Sequence, residues 1–104
     1  VNDLICVGST PFAFVDYIAI ANPDPYILRR LAEGLVKAGE EAGVAIIGGE
    51  TAIVPDLLSN GNNQNSIELS GTALGFVKKR SELVLGNRSV KGDIILGVES
   101  SGMH

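Results

Sequence analysis

Hydrophobic positions in this chain recur first at helical and then at strand spacing. Val1, Leu4, Ile5 and Gly8 fall at i, i+3, i+4 and i+7, the period of an amphipathic helix that Gly8 and Pro11 then stop. Asn2 and Asp3 sit on that helix end. Phe12 to Ile20 is rich in aromatic and β-branched residues and lies between Pro11 and an Asn22-Pro23-Asp24-Pro25 turn. This predicts a strand with Phe12, Phe14, Asp16, Ile18 and Ile20 on one face. Asp16 is then a carboxylate in an apolar row, and burying it unpaired costs on the order of several kcal/mol. It calls for a partner, a water or a subunit boundary.

The segment from Pro25 to Ala42 predicts a helix, with Asp24 as N-cap, Pro25 at the first helical position and Gly43 just past the end. Ile27, Leu31, Leu35, Ala38 and Ala42 make its apolar stripe, and Arg29, Glu33, Lys37 and Glu41 a solvated charge ladder. Val44 to Ile47 shows no alternation, which predicts a strand covered on both faces. Gly48-Gly49-Glu50-Thr51 follows and reads as a turn. Its glycines can take positive φ and admit a phosphate or metal close to the backbone, and Glu50 offers a hard oxygen for Mg²⁺. The same tetrapeptide also suits a tight surface turn with Glu50 in water.

Beyond Ala52-Ile53-Val54-Pro55-Asp56, residues 59–65 are polar and predict a mobile loop. Ile67 to Val77 predicts a strand with Gly71, Ala73 and Gly75 on one face and Thr72, Leu74 and Phe76 on the other. Lys78 to Leu85 predicts a short helical piece, Lys91-Gly92-Asp93 a turn, and Ile94 to Val98 a last strand. The expected fold is α/β (α+β), a mixed four-stranded sheet with helices on one face. One long helix cannot cover four apolar strands on both faces, so missing segments or a second subunit must.

The 104 residues make one domain or a piece of one. The chain opens on Val1 without a cap and closes on Ser100-Ser101-Gly102-Met103-His104 without a polar tail, so residues 1–104 are expected to be an incomplete single domain of a larger protein. A net charge of −4 and eight scattered Lys and Arg argue against a nucleic-acid partner. No apolar stretch approaches the roughly 18 residues of a membrane span. Cys6 is the only cysteine, which rules out an internal disulfide and fits a reducing cytoplasm.

Asn2-Asp3-Leu4, Gly8-Ser9-Thr10-Pro11, Phe14-Val15-Asp16-Tyr17, Gly48-Gly49-Glu50-Thr51-Ala52, Gly71-Thr72-Ala73-Leu74-Gly75, Lys91-Gly92-Asp93 and Ser100-Ser101-Gly102-Met103-His104 occur in one order. In that order and spacing the chain resembles the N-terminal domain of the aminoimidazole ribonucleotide synthetases, or phosphoribosylformylglycinamidine cyclo-ligases, over nearly its whole length. Thiamine-monophosphate kinases, selenophosphate synthetases and the hydrogenase maturation factors are relatives in the same ATP-binding superfamily. Gly-Gly-Glu-Thr with Ser-Ser-Gly-x-His favours the cyclo-ligases, since the kinases and maturation factors more often show Gly-Gly-Asp-Thr.

The resemblance implies an ATP-dependent ring closure in purine synthesis, in which the formyl amide oxygen is phosphorylated and the amidine nitrogen attacks that carbon. It implies that Asp3 and Glu50 hold Mg²⁺ and ATP phosphates, with Asn2, Gly48, Gly49 and Thr51 shaping the site. Ser101 and Gly102 would bind substrate and His104 would take a catalytic place. It further implies a cytoplasmic homodimer whose N-terminal sheets pair into a barrel, with the ATP site near the seam. Ile53-Val54-Pro55-Asp56 departs from the acidic residue, Met and Pro-Gly that the family usually carries. The family's Asp-Gly-Val-Gly-Thr-Lys segment would precede Val1 and Ser-Asn-Gly would follow His104, so the fragment alone is expected to be inactive. It could still dimerise.

Overall fold

The structure, a computed structural model, describes residues 1–58 and 66–102. Residues 59–65, expected to be a mobile loop, lie outside the described residues, as do Met103 and His104. The elements in chain order are α1 (Asn2–Cys6), β1 (Thr10–Ile20), α2 (Pro25–Ala42), β2 (Ala45–Ile53), α3 (Pro55–Leu58), β3 (Ile67–Phe76) and a 3-10 turn over Arg80–Glu82.

The helix α2 has the predicted bounds because both of its ends are chemically marked. The Asp24 carboxylate accepts from the Tyr26 N–H at 2.8 Å, and Gly43 closes the helix at φ 64°. The expected charge ladder is present in part: Lys37 meets Glu41 at 3.8 Å, whereas Glu33 meets Arg30 at 2.7 Å. These exposed pairs contribute little. The helix carries the chain from β1 to a parallel β2, while β3 returns antiparallel on the other side of β1. The sheet is therefore mixed, in the order β2-β1-β3. The central strand supplies most of the core: Ala13, Ile18, Ala19 and Ile20 are buried, joined by Ala21 and Val44.

Three expectations need correction. The sheet has three strands among the described residues, because Ile94 to Val98 forms no ladder. Ile94, Ile95, Leu96 and Val98 are 87 to 95% exposed, since strand propensity without a neighbouring strand leaves every backbone group to water. Next, β2 does not stop at Ile47 and turn; it runs on through Gly48-Gly49-Glu50-Thr51 to Ile53. Nor is it covered on both faces, as Ile46 and Ile47 are exposed. The third correction concerns Phe12, where a register shift between Pro11 and Ala13 breaks the alternation. Its ring lies 6.1 Å from that of Phe76.

Cross-strand pairing divides the sheet into two faces. Phe14, Asp16 and Ile18 share one with Ile46, Thr51 and α2. The small residues expected on β3 serve this side: a Cβ on Gly71 would enter the Phe14 ring, and one on Gly75 would lie 3.1 Å from Leu4 of α1. The opposite face, with Val15, Tyr17, Glu50, Ser70 and Thr72, carries no long helix among the described residues.

Candidate functional site

A bulge in β2 decides where Glu50 stands. Ala13 pairs with Ala45 and Phe14 with Ile46, but Val15 pairs with Gly48, so Ile47 is passed over. Side chains alternate along a strand, and one inserted residue exchanges the two faces for everything beyond it. Without the bulge Glu50 would point under α2. With it, Glu50 stands opposite Tyr17 on the helix-free face, and Tyr17 stands opposite Ser70 on β3.

These residues line a depression of about 350 Å³ together with Val15, Asp16, Gly49, Gly71 and Thr72. Glu50 is exposed and makes no hydrogen bond or ion pair among the described residues. A Cβ built on Gly48 would meet nothing within 4 Å, so the surface beside Glu50 is open backbone that a bulky anion could approach. The expected reason for the glycines is replaced by another. Neither Gly48 nor Gly49 is among the positive-φ residues; Gly49 is required because a Cβ there would lie 2.5 Å from Cγ of Asp16 and 2.8 Å from its carbonyl oxygen.

Of the residues singled out in the sequence, the fold places Gly49 and Glu50 in one depression, with Gly48 beside them on the strand. Gly49 and Thr51 point to the α2 side. Asn2 and Asp3 are exposed on α1, whose Leu4 reaches the Gly75 end of the sheet, also on the α2 side. Gly75 pairs with Pro11 and Glu50 with Tyr17, six residues farther along β1, a run of about 20 Å at roughly 3.3 Å per residue. Asp3 does not line the depression that holds Glu50. Among the described residues no three of His, Cys, Asp and Glu converge as metal ligands. Ser101 and Gly102 lie in the exposed tail, where Ser100 Oγ closes a local turn with Gly102 at 2.5 and 3.3 Å. His104 is outside the described residues.

Tyr17 and Thr72 appear in the ordered motifs, but neither they nor Ser70 were expected in the site. Tyr17 was within reach of the sequence, since it immediately follows Asp16. Ser70 and Thr72 share a depression with Glu50 only through strand register, which leaves no local signal.

No helix among the described residues is long and apolar enough to cross a membrane. Residues 1–77 match the family described as AIR synthase related protein, N-terminal domain. Curated relatives match the whole chain: phosphoribosylformylglycinamidine cyclo-ligases of Thermococcus kodakarensis at 45% identity and of Pyrococcus furiosus at 47%. The chain spans 29% of the length of each. Among solved structures, the hydrogenase maturation protein HypE in complex with ATP superposes with a TM-score of 0.67 at 27% identity, over 86% of this chain and 25% of that one. Thiamine monophosphate kinase from Aquifex aeolicus, at TM-score 0.57, 16% identity and coverage of 73% and 23%, shares the fold alone. The chain belongs to the family of AIR synthase related proteins, through the match of residues 1–77 to its N-terminal domain.

Proposed function

We propose that this domain is the ATP-handling and dimerising part of a cyclo-ligase that closes the imidazole ring of aminoimidazole ribonucleotide. The observation that carries the reading is the match of the entire chain to relatives named as that enzyme, at 41 to 47% identity. The hydrogenase maturation and kinase readings rest on structural likeness at 27% identity or below. That leaves the cyclo-ligase the stronger assignment.

The residues present fit a magnesium and phosphate site: an exposed carboxylate with no protein partner stands beside open glycine backbone. Glu50 and Asp3 would hold the ion, which supplies charge neutralisation for the transferring phosphoryl group. Gly48 would let phosphate oxygens reach the strand, and Tyr17 offers a hydroxyl on the strand beside Glu50, with Ser70 one strand farther. Ser101, Gly102 and His104 would belong to the substrate side. The task of this chain is positioning.

Asp3 does not line the depression that holds Glu50, so Glu50 is the ligand on which the reading rests first. The helix-free face, with Phe12, Tyr17, Leu74 and Phe76 each 38 to 48% exposed, is the surface we assign to sheet-on-sheet pairing into a barrel. Purine synthesis and a lone reduced Cys6 suit the cytoplasm.

The test is ADP release by the full-length enzyme with formylglycinamidine ribonucleotide, Mg²⁺ and ATP. Substrate-dependent release with formation of aminoimidazole ribonucleotide is expected. Release that depends instead on thiamine monophosphate or a carbamoyl donor would move the chain to another branch of the superfamily.

A further inference from the structure

The helix-free face of the sheet changes character along its length. Phe12, Leu74 and Phe76, each 38 to 48% exposed, gather at the end where Thr10 pairs with Phe76 and Ala13 with Leu74. Four residues farther along β1, about 13 Å at roughly 3.3 Å per residue, Tyr17 stands between Glu50 on β2 and Ser70 on β3. It is 42% exposed and lines the same depression as Glu50. Among the described residues its hydroxyl makes no hydrogen bond. A tyrosine hydroxyl that a ligand or a second sheet then covers calls for a partner.

The chemistry of the depression narrows what that partner is. No lysine or arginine lines it, whereas Glu50 does, and the Asp16 carboxylate lies over Gly49. A phosphate alone would meet like charge there. Held through a magnesium ion on Glu50, its remaining oxygens are strong acceptors that need donors. The side-chain donors lining the depression are the hydroxyls of Tyr17, Ser70 and Thr72. Tyr17 is on the strand beside Glu50, and the other two are one strand farther. We propose that Tyr17 is a nucleotide-binding residue whose hydroxyl donates to a non-bridging phosphate oxygen of the magnesium-bound ATP. This rests on the magnesium and phosphate reading of Glu50 and adds to it a residue outside the glycine-rich segment. It also divides the face by task, with the apolar end left to the subunit contact and the Tyr17 end given to the nucleotide.

Calorimetric titration of the full-length enzyme with a non-hydrolysable ATP analogue and Mg²⁺ tests this. Tyr17→Phe keeps the ring and removes only the donor. Its affinity for the analogue should fall about tenfold, with the KM for Mg-ATP raised, the KM for formylglycinamidine ribonucleotide unchanged and the dimer intact in sedimentation velocity. An affinity equal to that of the wild type overturns the proposal. So does a shift of Tyr17→Phe toward monomer, which assigns the hydroxyl to the subunit contact. Glu50→Gln in the same titration separates the two levels. If it binds weakly while Tyr17→Phe binds normally, Tyr17 alone is removed from the site; if both bind normally, the magnesium and phosphate reading falls as well.

Discussion

Gly49→Ala and Gly48→Ala are adjacent, chemically identical substitutions with opposite expected outcomes. At Gly49 the new Cβ would lie 2.5 Å from Cγ of Asp16 and 2.8 Å from its carbonyl oxygen, both well inside van der Waals contact. The carboxylate can swing away, but the carbonyl belongs to the central strand and is fixed by pairing on both sides. Overpacking of this kind costs about 1–3 kcal/mol, and the smaller entropy of an unfolded chain with Ala returns about 0.4–1 kcal/mol. A net loss of about 1–2 kcal/mol is expected. At Gly48 a Cβ meets nothing within 4 Å and the backbone φ is not positive, so only the entropy gain remains, and stability should hold or rise by up to about 1 kcal/mol. Urea unfolding followed by far-UV circular dichroism measures both. Adding Asp16→Ala to Gly49→Ala should recover part of the loss, leaving the carbonyl contact. Equal stabilities for the two variants, or a larger loss at Gly48, would refute the register and bulge on which the position of Glu50 depends.

Other outcomes follow from single contacts. Glu50→Gln in the full-length enzyme should lower kcat/KM for Mg-ATP by about tenfold or more, while its unfolding free energy stays within about 0.5 kcal/mol of wild type, because Glu50 is exposed and unpaired; steady-state kinetics and urea unfolding check the two halves. Asp24→Ala removes the 2.8 Å bond to the Tyr26 N–H and should cost about 0.5–2 kcal/mol, measured by thermal unfolding. Leu74→Lys places a charge on the helix-free face, where Leu74 is 38% exposed. It should shift the protein toward monomer in sedimentation velocity and lower activity in proportion, whereas an unchanged dimer would remove that face from the interface.

The parts of this fold that could be read from the sequence are those whose cause is local. The bounds of α2 follow from Asp24, Pro25 and Gly43, each acting within a turn of its own position. The end of β2 did not follow, because Gly-Gly signals a turn unless it is known that Asp16 on another strand needs the space of a missing Cβ. Ile94 to Val98 has the pattern of a strand, yet pattern supplies no neighbouring strand, and pairing decides. In the candidate site, Glu50 was visible as a carboxylate beside glycines. Its neighbours Ser70 and Thr72 were not, since they arrive through antiparallel register from a strand 20 residues farther on. The direction in which Glu50 points depends on the passed-over Ile47, which no local preference marks.

A binding measurement with the full-length enzyme tests most directly the claim that Glu50 holds Mg-ATP. Calorimetric titration should show Mg-ATP affinity lowered by about tenfold or more in Glu50→Gln relative to wild type. If Glu50→Gln binds Mg-ATP as tightly as the wild type and forms aminoimidazole ribonucleotide at the same rate, Glu50 holds neither metal nor phosphate, and the account is contradicted.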